Sequence, residues 1–234
     1  MISRREVVTG AAAVALVPAK GVLGMTTPTV MPGFLETRLF NFRDNADPAA
    51  IAKVVARMRA LTGTPGVDSV LIGRNFVPDP FPARFEWVSM IQFNPATTEQ
   101  WAPYQAICAE LARTCRNQVA SHVQRAFAPG FGSAPGVGVR HTVMFDFRPD
   151  ASPADQVRNV DAIREMGKLP MVQAYQVEPN AFYPGDPTQM QWQVIGDFAN
   201  VADYRAYAAA PVHLAIRDDF KAHTARVAFL DVKI

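Results

Sequence analysis

Apolar and polar or small residues alternate with period 2 over Phe85–Phe93 and again over Met190–Phe198, which predicts two half-buried strands. Arg38–Arg43 and Thr142–Arg148, each carrying a Phe-x-Phe pair, predict two more. Asp47-Pro48 and Ser152-Pro153 then place an N-cap side chain ahead of a proline at the first helical position. The apolar spacing lengthens to that of a helix after each proline, and the helices end near Leu61 and Met166, before Gly63 and Gly167. Val67–Gly73 and Met171–Glu178 predict strands, Thr98–Gln118 a second helix, and Val123–Phe127 and Arg226–Val232 closing strands.

The two series of elements are one series written twice. At a constant offset of 105 residues, more than a dozen positions between 37 and 93 are identical to their counterparts. Among them are Thr37 with Thr142, Phe40 with Phe145, Pro48 with Pro153, Asn75 with Asn180 and Trp87 with Trp192. A fixed offset shared by rare residue types marks an internal repeat. Each unit reads βαββαβ, so the chain is predicted to be α+β, with two ferredoxin-like repeats at 36–127 and 141–234. Between them, residues 128–140 hold four glycines and two prolines and read as a linker. A single unit leaves one sheet face apolar and uncovered, and the second unit is its natural cover.

Composition narrows the class. With 49% hydrophobic and 19% charged residues and a mean hydropathy near zero, the chain is neither disordered nor polytopic. The net charge of +2 is concentrated at the N-terminus. Removal of residues 1–24, which carry Arg4, Arg5 and Lys20 against Glu6, leaves the remainder formally neutral, so nucleic acid is not an expected partner. Ser3-Arg4-Arg5-Glu6-Val7 ahead of a short run ending at Val17 resembles a twin-arginine export signal, with cleavage after Ala19 or Gly24. The run is too short to span a bilayer. The expected location is periplasmic or secreted, with the twin-arginine translocase as partner during export and no membrane association afterwards. The two cysteines, Cys108 and Cys115, stand seven residues apart in a predicted helix. That places their Cα atoms about 10.5 Å apart, beyond disulfide reach, and they read as small core residues.

The segments His141–Arg148 and Tyr207-Ala-Ala-Ala-Pro-Val-His213-Leu214 resemble the opening strand and the Tyr-x-x-His-Pro-x-His segment of the stress-responsive α/β-barrel (Dabb) family. Ala210 stands where that pattern has its first histidine. The resemblance covers residues 141–232 well and 36–127 more loosely, and implies a dimeric α+β barrel closed within one chain as a pseudo-dimer, hence a monomer. The second half is similar to the family's aldol cyclase, olivetolic acid cyclase. The similarity implies catalytic roles for His213, Tyr207 and His141, and places Trp192 where that enzyme has another pocket histidine. Trp192 and Tyr204 are the expected substrate contacts. Such a cleft suits a small apolar carbonyl or aromatic compound and needs no cofactor: a neutral imidazole removes an α-proton and a phenol steadies the oxyanion.

Two other readings stay open at this point. Related α+β barrels include haem- and oxygen-dependent monooxygenases, and the family also implies a non-catalytic stress-protective module. In that last case Pro211 is an early helical residue and His213 bonds nearby backbone. The first repeat is expected to be degenerate. Glu36 stands in the place of His141, and Glu110 in the place of His213 when Tyr104 is aligned with Tyr207. His122 and His223 read as structural, and Trp87 and Trp192 as equivalent packing positions.

Overall fold

The computed structural model describes residues 33–77, 85–94, 100–115, 118–127, 131, 135–180 and 188–234. The proposed export signal, much of the linker and the side chains of Tyr104, Cys108 and Cys115 lie outside the described residues. Among the described residues no helix is long and apolar enough to cross a membrane.

The first repeat runs β1 (Phe34–Phe42), α1 (Pro48–Arg59), β2 (Val67–Arg74), β3 (Trp87–Phe93), α2 (Trp101–Cys115) and β4 (Val119–Phe127). The second runs β5 (Val139–Phe147), α3 (Pro153–Met166), β6 (Ala174–Pro179), β7 (Trp192–Phe198), α4 (Val201–Ala209), α5 (Pro211–His223) and β8 (Thr224–Lys233). The N-caps work as the sequence predicts: the Asp47 carboxylate accepts from Ala49 N and the Ser152 hydroxyl from Asp155 N. Boundaries differ most at four strands. β5 begins at Val139 rather than Thr142, because Val139, Arg140 and His141 pair with β7 and β8. β1 and β4 each begin four residues before the predicted start, because their flanking residues still find ladder partners across from each other and, for β1, on β3. β6 begins at Ala174 rather than Met171, because turn hydrogen bonds hold Leu169 and Val172 just after α3.

Both repeats form four-stranded antiparallel sheets of the same order, β2-β3-β1-β4 and β6-β7-β5-β8. One face of each sheet packs on the other sheet. Leu35, Leu39, Val88 and Met90 meet Met144, Ile195, Leu230 and Val232 in a shared apolar layer. The opposite faces carry the helices: α1 lays Val54, Val55 and Met58 on Phe40, Ile72 and Ile91, and α3 with α5 covers Phe145, Val177 and Val194.

Two features of the repeat become legible in this packing. Thr37 and Thr142, one of the identical pairs, both accept from the buried Gln193 Nε2 at 3.0 Å, so a single amide ties the central strands of the two sheets together. Trp87 and Trp192 stack on Phe40 and Phe145 at 6.4 and 6.3 Å, on the helix-facing side of each sheet. At one side of the barrel the sheets meet directly: Asn75 bridges to Val232, and Phe76 N donates to Asp231 O at 3.1 Å. There, a Cβ added to Gly73 would overlap Val232 Cγ2. Gly73→Ala is therefore expected to destabilise the fold by about 1–3 kcal/mol, since overpacking forces backbone shifts; urea denaturation reads this directly.

Candidate active site of the second repeat

Four positions line up across the helix-facing side of sheet 2. Tyr175 on β6 pairs with Gly196 on β7, Gly196 with His141 on β5, and His141 with Asp231 on β8. Gly196 has no side chain to hold Tyr175 off: an added Cβ would lie 3.1 Å from Tyr175 Cδ2. The Tyr175 ring thus lies over Gly196, and its hydroxyl reaches that of Tyr207 at 3.0 Å. Tyr204 and Tyr207 descend from α4, whose N-cap Asn200 accepts from Ala202 N and Asp203 N. Pro211 then opens α5, and the break between the two helices turns His213 back toward Tyr207, with ring centroids 4.7 Å apart.

The cluster holds two hydrogen-bonded groups. In the first, His141 Nδ1 lies 2.6 Å from Asp231 Oδ1, and Tyr204 donates its hydroxyl to Asp231 Oδ2 at 2.7 Å. Both oxygens of a carboxylate with a 1% exposed side chain are thereby engaged, and the arrangement fixes the imidazole ring. The second group is Tyr175, Tyr207 and His213. Burial raises the Tyr207 hydroxyl to about 12 and pushes Tyr175 well above the usual phenol range. Both therefore act as hydrogen-bond donors rather than as bases. His213 is lowered to about 4, first by burial and then by the charge of His141. Its Nδ1 sits 3.1 Å from Ala208 O, so the neutral ring donates there and carries its lone pair on Nε2.

The structure brings together four of the five residues expected from the sequence: His141, Tyr204, Tyr207 and His213. The rings of Tyr204 and Tyr207 lie 5.7 and 5.9 Å from that of His141. Trp192 stands apart from them. It pairs with Phe145, four residues along β5 from His141, and packs on Phe145 and Phe147. Asp231 and Tyr175 are the members that the sequence reading missed. An acidic residue inside the otherwise apolar run Val227–Val232 is a usable signal for Asp231, whereas Tyr175 depends on a cross-strand register that no local pattern reveals. The bond of His213 to Ala208 O is also what the structural reading of that histidine expects.

The first repeat has no counterpart of this cluster among its described side chains. Glu36, in the place of His141, is ion-paired with Arg38 and faces Ala126 where His141 faces Asp231. Glu110 pairs on the helix surface with Arg57 at 3.2 Å and with Arg113. His122 is exposed on β4, and His223 Nδ1 lies 2.9 Å from Asp219 O within its own helix. Among the described residues, no three His, Cys, Asp or Glu side chains gather as a metal site.

Two ferredoxin-like sheets packed face to face within one chain, with a polar cluster under the helices of the second, define a pseudo-dimeric α+β barrel. The model of the Stress responsive A/B Barrel Domain (Dabb) matches residues 139–234, so the second repeat carries that domain. The fold of nearly the whole chain recurs in solved structures of low sequence identity. An anthrone oxidase-like protein is 12% identical with a TM-score of 0.56, over 86% of this chain and 90% of that one. A monooxygenase candidate from Fusobacterium nucleatum is 8% identical with a TM-score of 0.53, over 86% and 92%. A chlorite dismutase candidate is 10% identical with a TM-score of 0.53, over 87% and 96%. Among curated proteins, none matches the chain in sequence.

Proposed function

We propose that the second repeat binds a small, largely apolar carbonyl or aromatic compound and carries out acid–base chemistry on it without a cofactor. The observation that carries this reading is the neutral His213, its Nδ1 tied to Ala208 O and its ring against the buried Tyr207. Nε2 takes a proton from the carbon next to a carbonyl, and the electron pair of that C–H bond moves onto the carbonyl oxygen. The Tyr207 hydroxyl donates to that oxyanion. With Tyr175 donating to Tyr207, the Tyr207 proton is spent only on the weak acceptor Met166 Sδ at 3.8 Å, which a substrate oxygen displaces. The resulting enolate carbon attacks a second carbonyl in the same molecule, and the carbon–carbon bond forms as that carbonyl's π pair moves onto its oxygen. The protonated His213 returns the proton to the alkoxide, beside His141 held by Asp231.

Access is from the α4–α5 junction. His213 is partly exposed there, flanked by the exposed Val212 and Leu214, an apolar lip suited to an apolar substrate. The likeness of the second half to olivetolic acid cyclase supports aldol chemistry as the specific reaction. The test is α-proton exchange in deuterium oxide with β-keto acyl thioesters and aryl methyl ketones, followed by proton NMR. Saturable exchange above the buffer rate supports the proposal, and exchange at the buffer rate across the set contradicts it.

We also propose that residues 1–24 are a twin-arginine export signal, which would place the mature protein in the periplasm or outside the cell. The working unit is proposed to be one chain, because the two sheets already cover each other's apolar faces.

A further inference from the structure

The two repeats differ at one end of the barrel, on the inner face opposite the His213 cluster. The buried pair Arg140–Asp197 in sheet 2 has Leu35 and Gln92 as its repeat equivalents in sheet 1. Where the second repeat fills its interior with a bidentate ion pair, the first leaves a cavity of about 460 Å³. Leu71 and Met90 give it apolar walls, and Asp68, Gln92, Arg140 and Phe131 also border it. Its polar groups are not balanced. The Arg140 guanidinium is neutralised, with Nε and Nη2 on Asp197 at 2.7 and 2.8 Å and its Cζ 4.9 Å from the Phe131 ring centroid. Gln92 Oε1 is buried with no hydrogen-bond partner among the described residues. Asp68 is the exposed residue skipped where the register of β2 shifts against β3, and it contributes a negative charge. Arg140 Nη1 turns to Met90 Sδ at 3.8 Å, which leaves Gln92 Oε1 and the Asp68 carboxylate as acceptors at the cavity for which no donor is seen among the described residues.

We propose that this inter-sheet cavity binds a small apolar amine. Its ammonium group donates to Asp68 and Gln92, and its hydrocarbon body lies on Leu71 and Met90. The amide of Gln92 ends a flexible side chain, and rotation of its last torsion turns Oε1 into the cavity.

The experiment is a titration of the full chain with benzylamine and with its neutral analogue benzyl alcohol. It is read at the methyl resonance of Met90, assigned by loss in Met90→Leu. Benzylamine is expected to shift that resonance saturably and to bind about tenfold more tightly than the alcohol, the worth of one charge-assisted hydrogen bond. Asp68→Asn is expected to remove that preference, and Gln92→Leu to weaken both ligands. Absence of a saturable shift at Met90, equal affinity for amine and alcohol, or an amine affinity unmoved by one of the two substitutions overturns the proposal. Because the readout sits on the inner face, none of these outcomes depends on the His213 site.

Discussion

Asp197→Ala is expected to destabilise the protein by about 3–5 kcal/mol, because it strands a buried guanidinium without its counter-charge. The Arg140 and Asp197 side chains are only 5% and 0% exposed, and their two parallel contacts are the only buried Arg–carboxylate fork among the described residues. The repeat provides its own control. Arg140→Leu with Asp197→Gln reproduces the Leu35 and Gln92 of the first sheet and removes both charges together. That double variant is expected to recover most of the loss, since replacing a buried pair by uncharged residues is far less costly than breaking it. Urea melts of the three proteins decide the matter, and equal losses in single and double variants would mean that packing rather than charge is at stake.

The second large effect is on chemistry. His213→Ala is expected to lower α-proton exchange by roughly 10²–10⁴, the range of a positioned general base. Tyr207→Phe is expected to lower it by about 10²–10³, the worth of one oxyanion donor. Glu110→Ala should change little, because its carboxylate is engaged with Arg57 and Arg113 on the helix surface. If His213 served only to pin the start of α5, its removal would lower the melting temperature and reduce exchange only in proportion to lost folded protein. Melting temperature measured beside exchange for all three variants separates the two roles.

Much of this architecture can be read from the residues because repetition doubles each signal. A Phe-x-Phe pair, a capped proline helix and an alternating strand are weak alone, but recurrence at one offset makes them a fold. His141, Tyr204, Tyr207 and His213 were legible through the segments that resemble the family. Asp231 was not, since its role arises from β8 lying beside β5, a pairing of residues 90 positions apart. The distance of Trp192 from this cluster was equally hidden, since it is set by register: Trp192 pairs with Phe145, and His141 pairs with Gly196. The inter-sheet cavity was invisible for the same physical reason. It depends on which residue of one sheet faces which residue of the other, and no periodicity within a strand encodes that.

Everything proposed for the site rests on His213 being a half-buried neutral base. Nitrogen-resolved NMR of its imidazole across pH measures this directly, and with four histidines in the chain the signal is assigned by its loss in His213→Gln. In the folded protein the group lies below its ordinary value near 6.5. The unfolded chain therefore binds the proton first, and stability falls as pH drops from about 6.5 toward about 4. The account predicts an Nδ1–H tautomer that persists to about pH 4, with the acid-side loss of melting temperature reduced in His213→Gln. Titration near 6.5, as for an imidazole open to water, would contradict it.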